Sequence, residues 1–166
     1  GTRIAFSRDD LVLRARAAMF VVAGGSAADV AGGSRGALWG QLRNAFDEAR
    51  VYRARRAAGT PRDQLLNHVD LDALLPVLDR QIPLAIVAQR EADIRQAISV
   101  GRDYNLRVVI LGGAEAWRVA PALAAARIPV ILDPLDALPS SYDAIGARRD
   151  NAALLAKAGV TLSFWV

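Results

Sequence analysis

From residue 81 onward the chain alternates between two hydrophobic periods. Residues 82–88, 106–111, 128–132 and 160–166 are near-continuous apolar runs, the pattern of strands inside a parallel sheet covered on both faces. Between them Ile94, Ala97, Ile98, Gly101 and Tyr104 recur at three- and four-residue spacing, and so do Trp117, Ala120, Leu123 and Ala124. Residues 91–104 and 114–126 therefore predict helices, the second kinked by Pro121. A last helix is expected from Asp150 or Asn151 through Ala158, closed by Gly159. Residues 133–142, with Pro134 and Pro139, predict a loop. The reading is an α/β fold of four parallel strands alternating with helices, preceded by helices.

Upstream the signals are helical. Ser7 and Asp10 can cap a helix over residues 11–22, with Leu13, Ala17 and Phe20 on one face. Residues 23–34 contain Ala-Gly-Gly-Ser twice and predict a flexible loop. Its amides could face an anion at the start of the next helix, with Arg35 adding charge. Neither Gly-x-Gly-x-x-Gly nor the phosphate-loop Gly-Lys-Ser/Thr is present. Ser34 is the expected cap of a long helix over residues 36–56, whose stripe is Leu38, Leu42, Ala45, Phe46, Ala49 and Tyr52. Arg53, Arg55 and Arg56 suit the negative end of its dipole. Asp70 is expected to cap a helix over residues 71–80, bent at Pro76. Residues 1–69 thus form a helical lead-in with a Gly/Ala/Ser-rich loop, and residues 70–166 a repeat unit.

The 166 residues suit one domain with a real core. The chain opens on Gly1-Thr2 and stops at Phe164-Trp165-Val166 inside an apolar run, so a fragment of something longer is expected. With 53% hydrophobic and 23% charged residues it is globular. No apolar stretch reaches spanning length, so no membrane partner is expected. The compartment stays open between cytoplasm and periplasm. The absence of cysteine excludes disulfides and thiolate metal sites. The net charge of +4 is uneven: residues 1–62 hold 11 arginines against 5 acids, and residues 63–166 hold 10 basic against 12 acidic residues. Lys157 is the single lysine. Aromatic interleaving is too sparse for a nucleic-acid surface, and no nucleic-acid partner is expected.

Ligands of strand–helix folds gather at the C-terminal ends of the strands. Here those ends offer Gln89, Arg90 and Glu91, then Gly112, Gly113 and Glu115, then Asp133 and Asp136. Gly112-Gly113 before a helix could admit an anion or metabolite. Glu115 also suits a helix dipole, and Asp133 ahead of Pro134 suits a turn. His68, the only histidine, reads as a surface or capping residue. With one histidine, no cysteine and no Gly-x-Ser-x-Gly, triad chemistry has no support. No catalytic residue and no metal ligand is assigned.

Several strings are familiar together: residues 70–84, residues 90–94, and Val108-Val-Ile-Leu-Gly-Gly-Ala-Glu-Ala-Trp117. Residues 128–132 and 151–160 continue the match, and Gly32-Gly-Ser-Arg35 also fits. They resemble the amidohydrolase superfamily, in particular imidazolonepropionase and Xaa-Pro dipeptidase-like metal-dependent hydrolases. The resemblance implies the C-terminal half of a TIM-type barrel, its last four strands. It implies C–N bond hydrolysis by a metal-bound hydroxide, usually on zinc. The family's His-x-His would fall before Gly1, and its aspartate after the eighth strand would follow Val166. Its histidines after the fifth and sixth strands would fall near residues 87–89 and 111–113, where no histidine stands. No metal is therefore expected on this chain, and no activity from it alone. Alternatives are a small α/β module binding a metabolite or anion, or a homo-oligomer pairing through open sheet edges to complete a barrel.

Overall fold

A computed structural model describes residues 3–4, 12–14, 16–55, 66–135 and 138–165. Two short strands, β1 (Arg3–Ile4) and β2 (Val12–Arg14), pair antiparallel. The rest follows one rhythm: β3 (Met19–Val22), α1 (Gly25–Val30), α2 (Arg35–Arg55), α3 (His68–Leu78), β4 (Leu84–Ala88), α4 (Glu91–Asp103), β5 (Val108–Gly112), α5 (Ala120–Ala125), β6 (Val130–Leu132), α6 (Asn151–Lys157) and β7 (Leu162–Phe164). Strands β3 to β7 form one parallel sheet in chain order. Sequential parallel order with intervening helices is the arrangement of a (β/α) barrel arc.

The sheet has five parallel strands where four were expected. Residues 19–22, placed in a helix by their spacing, are β3, in register with β4 from Met19↔Leu84 to Val22↔Val87. Phe20 lies on the helical face with Leu13 and Ala17, but Met19-Phe-Val-Val22 is also a four-residue apolar run, which fits a strand equally. Pairing with β4 decides between them. Ser7 and Asp10 lie outside the described residues.

The coverage differs as well. Leu84, Ile86, Ala88, Val108, Ile110, Val130 and Leu132 point to one face and share a core with Phe46, Leu71, Ile94, Leu123 and Leu155 from five helices. The opposite face carries Phe20, Val22, Val87, Val109 and Ile131. Of these, Phe20 is 55% and Val22 48% exposed, the other three are half-buried, and Ala85 and Leu111 on the same face are buried. One layer of helices over one face is how a barrel wall is built, the other face turning toward the barrel axis.

Local chemistry explains the boundaries. Asn67, not Asp70, caps α3: its Oδ1 accepts from the Asp70 amide at 2.9 Å, and Asp70 sits in the first turn. Ser34 Oγ accepts from the Ala37 amide at 3.1 Å and opens α2. Pro121 lies at the start of α5, where its missing N–H has no partner to lose. The expected kinked helix is instead a 3₁₀ turn (Ala116–Val119) followed by α5. Residues 25–30, expected as loop, form α1.

Four helices end alike. Arg80, Asn105, Arg127 and Gly159 have φ of 59°, 54°, 54° and 83°. In each case that residue's N–H bonds back three residues and the next N–H bonds back five, to Pro76, Gly101, Leu123 and Leu155. These are Schellman caps with a left-handed residue at C′. The next strand begins three or four residues later.

Candidate functional site

The sequence places Gln89, Arg90, Gly112, Gly113, Glu115 and Asp133 at the C-terminal strand ends, and the structure brings four of them together. Gly112 and Gly113 both have positive φ, 88° and 68°, a conformation glycine adopts without strain. A Cβ on Gly112 would stand 2.6 Å from the Gln89 amide, so the Gln89 side chain lies over this glycine. Its Oε1 accepts from the Ala114 amide at 2.9 Å, and its carbonyl accepts from the Glu115 amide at 2.8 Å. Glu115 Oε2 in turn accepts from the Glu91 amide at 2.8 Å, at the start of α4. Asn151 completes the brace. It is buried, its Nδ2 donates to the Gly113 carbonyl at 3.0 Å, and its Oδ1 accepts from the Trp117 amide at 3.1 Å.

Arg90 and Asp133 lie outside this hydrogen-bonded brace. Arg90 precedes α4, makes no cap bond through its side chain, and is exposed. Asp133 turns back on its own loop, its Oδ1 accepting from the Leu135 amide at 2.8 Å. With Gly112, Arg148 and Arg149 it lines a cavity of about 150 Å³. Small-molecule sites usually hold about 300–1,000 Å³, so this cleft suits an ion or water. Asp136 lies outside the described residues.

The strongest polar cluster at this end escaped the sequence reading. Asp93, 3% exposed on α4, accepts from Arg35 Nη1 at 2.5 Å and from Trp39 Nε1 at 3.4 Å. The other arm of Arg35 bonds Asp143, which lies in the β6–α6 connection. Asp143 Oδ2 also accepts from the Gly25 amide at 2.9 Å. The Gly-rich segment does offer an amide to an anion beside Arg35, as its composition suggested. That anion is a carboxylate of the same chain. Burial opposes ionisation of Asp143, but the Gly25 amide, Arg35 and Arg90 outweigh it and hold its pKa below the usual carboxylate range. The β6–α6 connection is thus a strap from one side of the sheet to the other. Trp117 anchors it further: its Nε1 donates to the Gly146 carbonyl at 2.9 Å, between Arg118 and Arg148 on its ring faces.

With this geometry in view, comparison with known proteins gives one informative likeness. An amidohydrolase from Thermotoga maritima MSB8 superposes with a TM-score of 0.84 at 21% sequence identity, over 96% of this chain. The chain has an amidohydrolase-like fold. It spans 44% of the length of that solved chain. No family model matches the sequence, and no curated protein matches it.

Zinc, which the amidohydrolase resemblance implies, can be tested against the donors present. Among the described residues no group of three or more His, Cys, Asp or Glu side chains is arranged to hold a metal ion. The single histidine, His68, is exposed at the start of α3 with its ring 5.7 Å from that of Tyr52. Glu115, Asp133 and Asp143 accept from amides, Asp93 and Asp143 from Arg35, and Glu91 from Arg95. The described donor set does not fit the metal. Among the described residues, no helix is long and apolar enough to cross a membrane.

Arg35, Asp93 and Asp143 carried little signal in sequence. Asp93 looks like any acid in a first helical turn, and Asp143 sits in a Pro- and Ser-rich connection. Only the fold brings residues 35, 93 and 143 to one place.

Proposed function

We propose that the chain is a segment of an amidohydrolase-like barrel, five of its eight strands, that supplies structural wall and not the hydrolytic metal centre. The observation that carries this reading is the internal use of Asp93, Glu115 and Asp143 at the C-terminal strand ends. Side chains so paired are not available as ligands or general bases without breaking the brace. The chain's 44% share of its structural neighbour's length and the half-open inner face at Phe20 and Val22 support completion by three further strand–helix units. C–N bond hydrolysis is then a property of the completed barrel. The finer reading, a C-terminal half of an imidazolonepropionase or Xaa-Pro dipeptidase-like protein, rests on the strings at residues 70–84 and 108–117.

Two other readings are weaker. A second copy pairing at the edges β3 and β7 would bring ten parallel strands together, more than the eight of this barrel type. A metabolite module centred on Gly112-Gly113 has only the 150 Å³ cleft to offer.

Metal analysis of the purified chain tests the proposal. After dialysis against a weak chelator, zinc well below one equivalent is expected, and added zinc should leave the melting temperature unchanged. One tightly held equivalent that stabilises the fold would overturn it.

A further inference from the structure

We infer that the N-terminal end of the sheet carries a binding site for a small multivalent anion, a polyphosphate or polycarboxylate, built by Arg80, Arg107 and Arg127. These residues line one open cleft of about 410 Å³ between the starts of β4, β5 and β6, a volume within the range of ligand sites. It lies at the opposite end of the sheet from the Arg35–Asp143 strap. Among the described residues no acidic side chain lines the cleft.

Arg35, Arg43, Arg53, Arg95, Arg102 and Arg148 each have a carboxylate partner. Arg80, Arg107 and Arg127 have none among the described residues. Arg16, Arg50, Arg55, Arg90, Arg118 and Arg149 form no such pair there either, so what sets Arg80, Arg107 and Arg127 apart is that all three line one cleft. Two of the three are held in place by neutral acceptors. Arg80 Nη1 donates to Asn105 Oδ1 at 2.6 Å and to the Asn105 carbonyl at 3.3 Å. Arg107 Nη1 donates to the Arg80 carbonyl at 3.3 Å. Each guanidinium has five N–H donors, so both keep most of theirs for a ligand while their direction is fixed. Neutral acceptors orient an arginine without neutralising it, the condition for charge-assisted, bidentate capture of phosphate or carboxylate oxygens.

Helix dipoles alone explain single cations at helix ends. They do not explain Arg107, which lies past the Leu106 turn and immediately before β5, nor the convergence of three unneutralised arginines on one cleft. An anion bound between like charges relieves their mutual repulsion.

The full chain is titrated with inorganic triphosphate by calorimetry at low salt. Saturable binding of one triphosphate is expected. Arg107→Gln and Arg127→Gln should each weaken it at least about tenfold, the scale of one charge-assisted hydrogen-bond pair. Arg95→Gln, on α4 near the other end of the sheet, should leave it unchanged. Circular dichroism and melting temperature of each variant separate lost binding from lost folding. The inference fails if triphosphate shows no saturable binding, or if Arg95→Gln weakens it as much as Arg127→Gln, which would mark diffuse charge attraction. It also fails if a single-stranded oligonucleotide binds more tightly than triphosphate at the same salt and depends on the same arginines.

Discussion

The left-handed caps give the sharpest test of how the repeat is built. Arg127 and Gly159 hold equivalent places, at C′ of α5 and α6, with φ of 54° and 83°. An L-residue in this region is strained by roughly 1–2 kcal/mol, whereas glycine adopts it readily. Replacing Arg127 by glycine relieves that strain but also removes a cation from a helix end, worth about 0.3–1 kcal/mol. The informative pair is therefore Arg127→Ala against Arg127→Gly. Both lack the guanidinium, and only the alanine keeps the strain. Glycine's freedom in the unfolded chain offsets part of the gain, by about 0.5–1 kcal/mol. Arg127→Gly should then be more stable than Arg127→Ala by about 0.5–1 kcal/mol, or roughly 1–4 °C in melting temperature for a chain of this size.

Gly159→Ala runs the same comparison in reverse. A Cβ there would meet no atom within 4 Å, so no steric clash enters and the loss should again be about 1 kcal/mol. Urea denaturation gives both differences from midpoints at unchanged slope. Equal stability of Arg127→Ala and Arg127→Gly, or no loss in Gly159→Ala, would refute the assignment of strain to these caps. Asn105 serves as an internal control. Asparagine tolerates the left-handed region better than other residues do, and its Oδ1 holds Arg80 at 2.6 Å. Asn105→Gly should therefore bring no gain.

Three further outcomes are expected. Gly101→Ala in α4 should lower stability by about 1–2 kcal/mol despite alanine's better helix propensity, since its Cβ would lie 2.9 Å from Val108 Cγ2; adding Val108→Ala should recover part of the loss in denaturant unfolding. Asp93→Ala should cost about 3 kcal/mol, since it removes a charged hydrogen bond to Arg35, which keeps Asp143 as partner, and also leaves the buried Trp39 N–H without its acceptor. Because the Asp143 pKa is depressed in the fold, its contribution is fully present above the unfolded carboxylate range and is lost as pH falls through the folded value; a melting-temperature series from pH 7 to 3 should decline less steeply for Asp143→Asn than for the natural chain.

What could be read from sequence follows from how local each determinant is. Four strands of the sheet were legible because Leu84–Ala88, Val108–Gly112, Val130–Leu132 and Leu162–Phe164 lie in apolar runs that alternate with helical repeats, although the last is largely exposed. β3 was missed because its four residues fit both periods, and its partner β4 lies beyond three helices and residues 56–65. The stripe of α4 was read with little error, since Ile94, Ala97, Gly101 and Tyr104 are all buried. Trp39 and Asp93 were missed for one reason: a buried tryptophan N–H facing a buried carboxylate is a pairing across 54 positions, invisible to any window of spacing. The Schellman caps were half legible. Gly159 announces one, whereas Arg80 and Arg127 carry the same geometry on residues that do not advertise it.

The two ends of the sheet differ in how their charges are resolved, and that difference bears on where a ligand can act. At the C-terminal end, Asp143 meets both Arg35 and the Gly25 amide. Glu115 and Asp93 also find donors within the chain. An incoming ligand there would have to displace bonds that already satisfy partly buried charges, and orphaning one such group costs several kcal/mol. At the N-terminal end, Arg80 and Arg107 are oriented by neutral oxygens and keep their net charge. A ligand there displaces only water and adds a missing counter-charge. On energetic grounds an added anion therefore meets less resistance at the N-terminal ends of the strands than at their C-terminal ends.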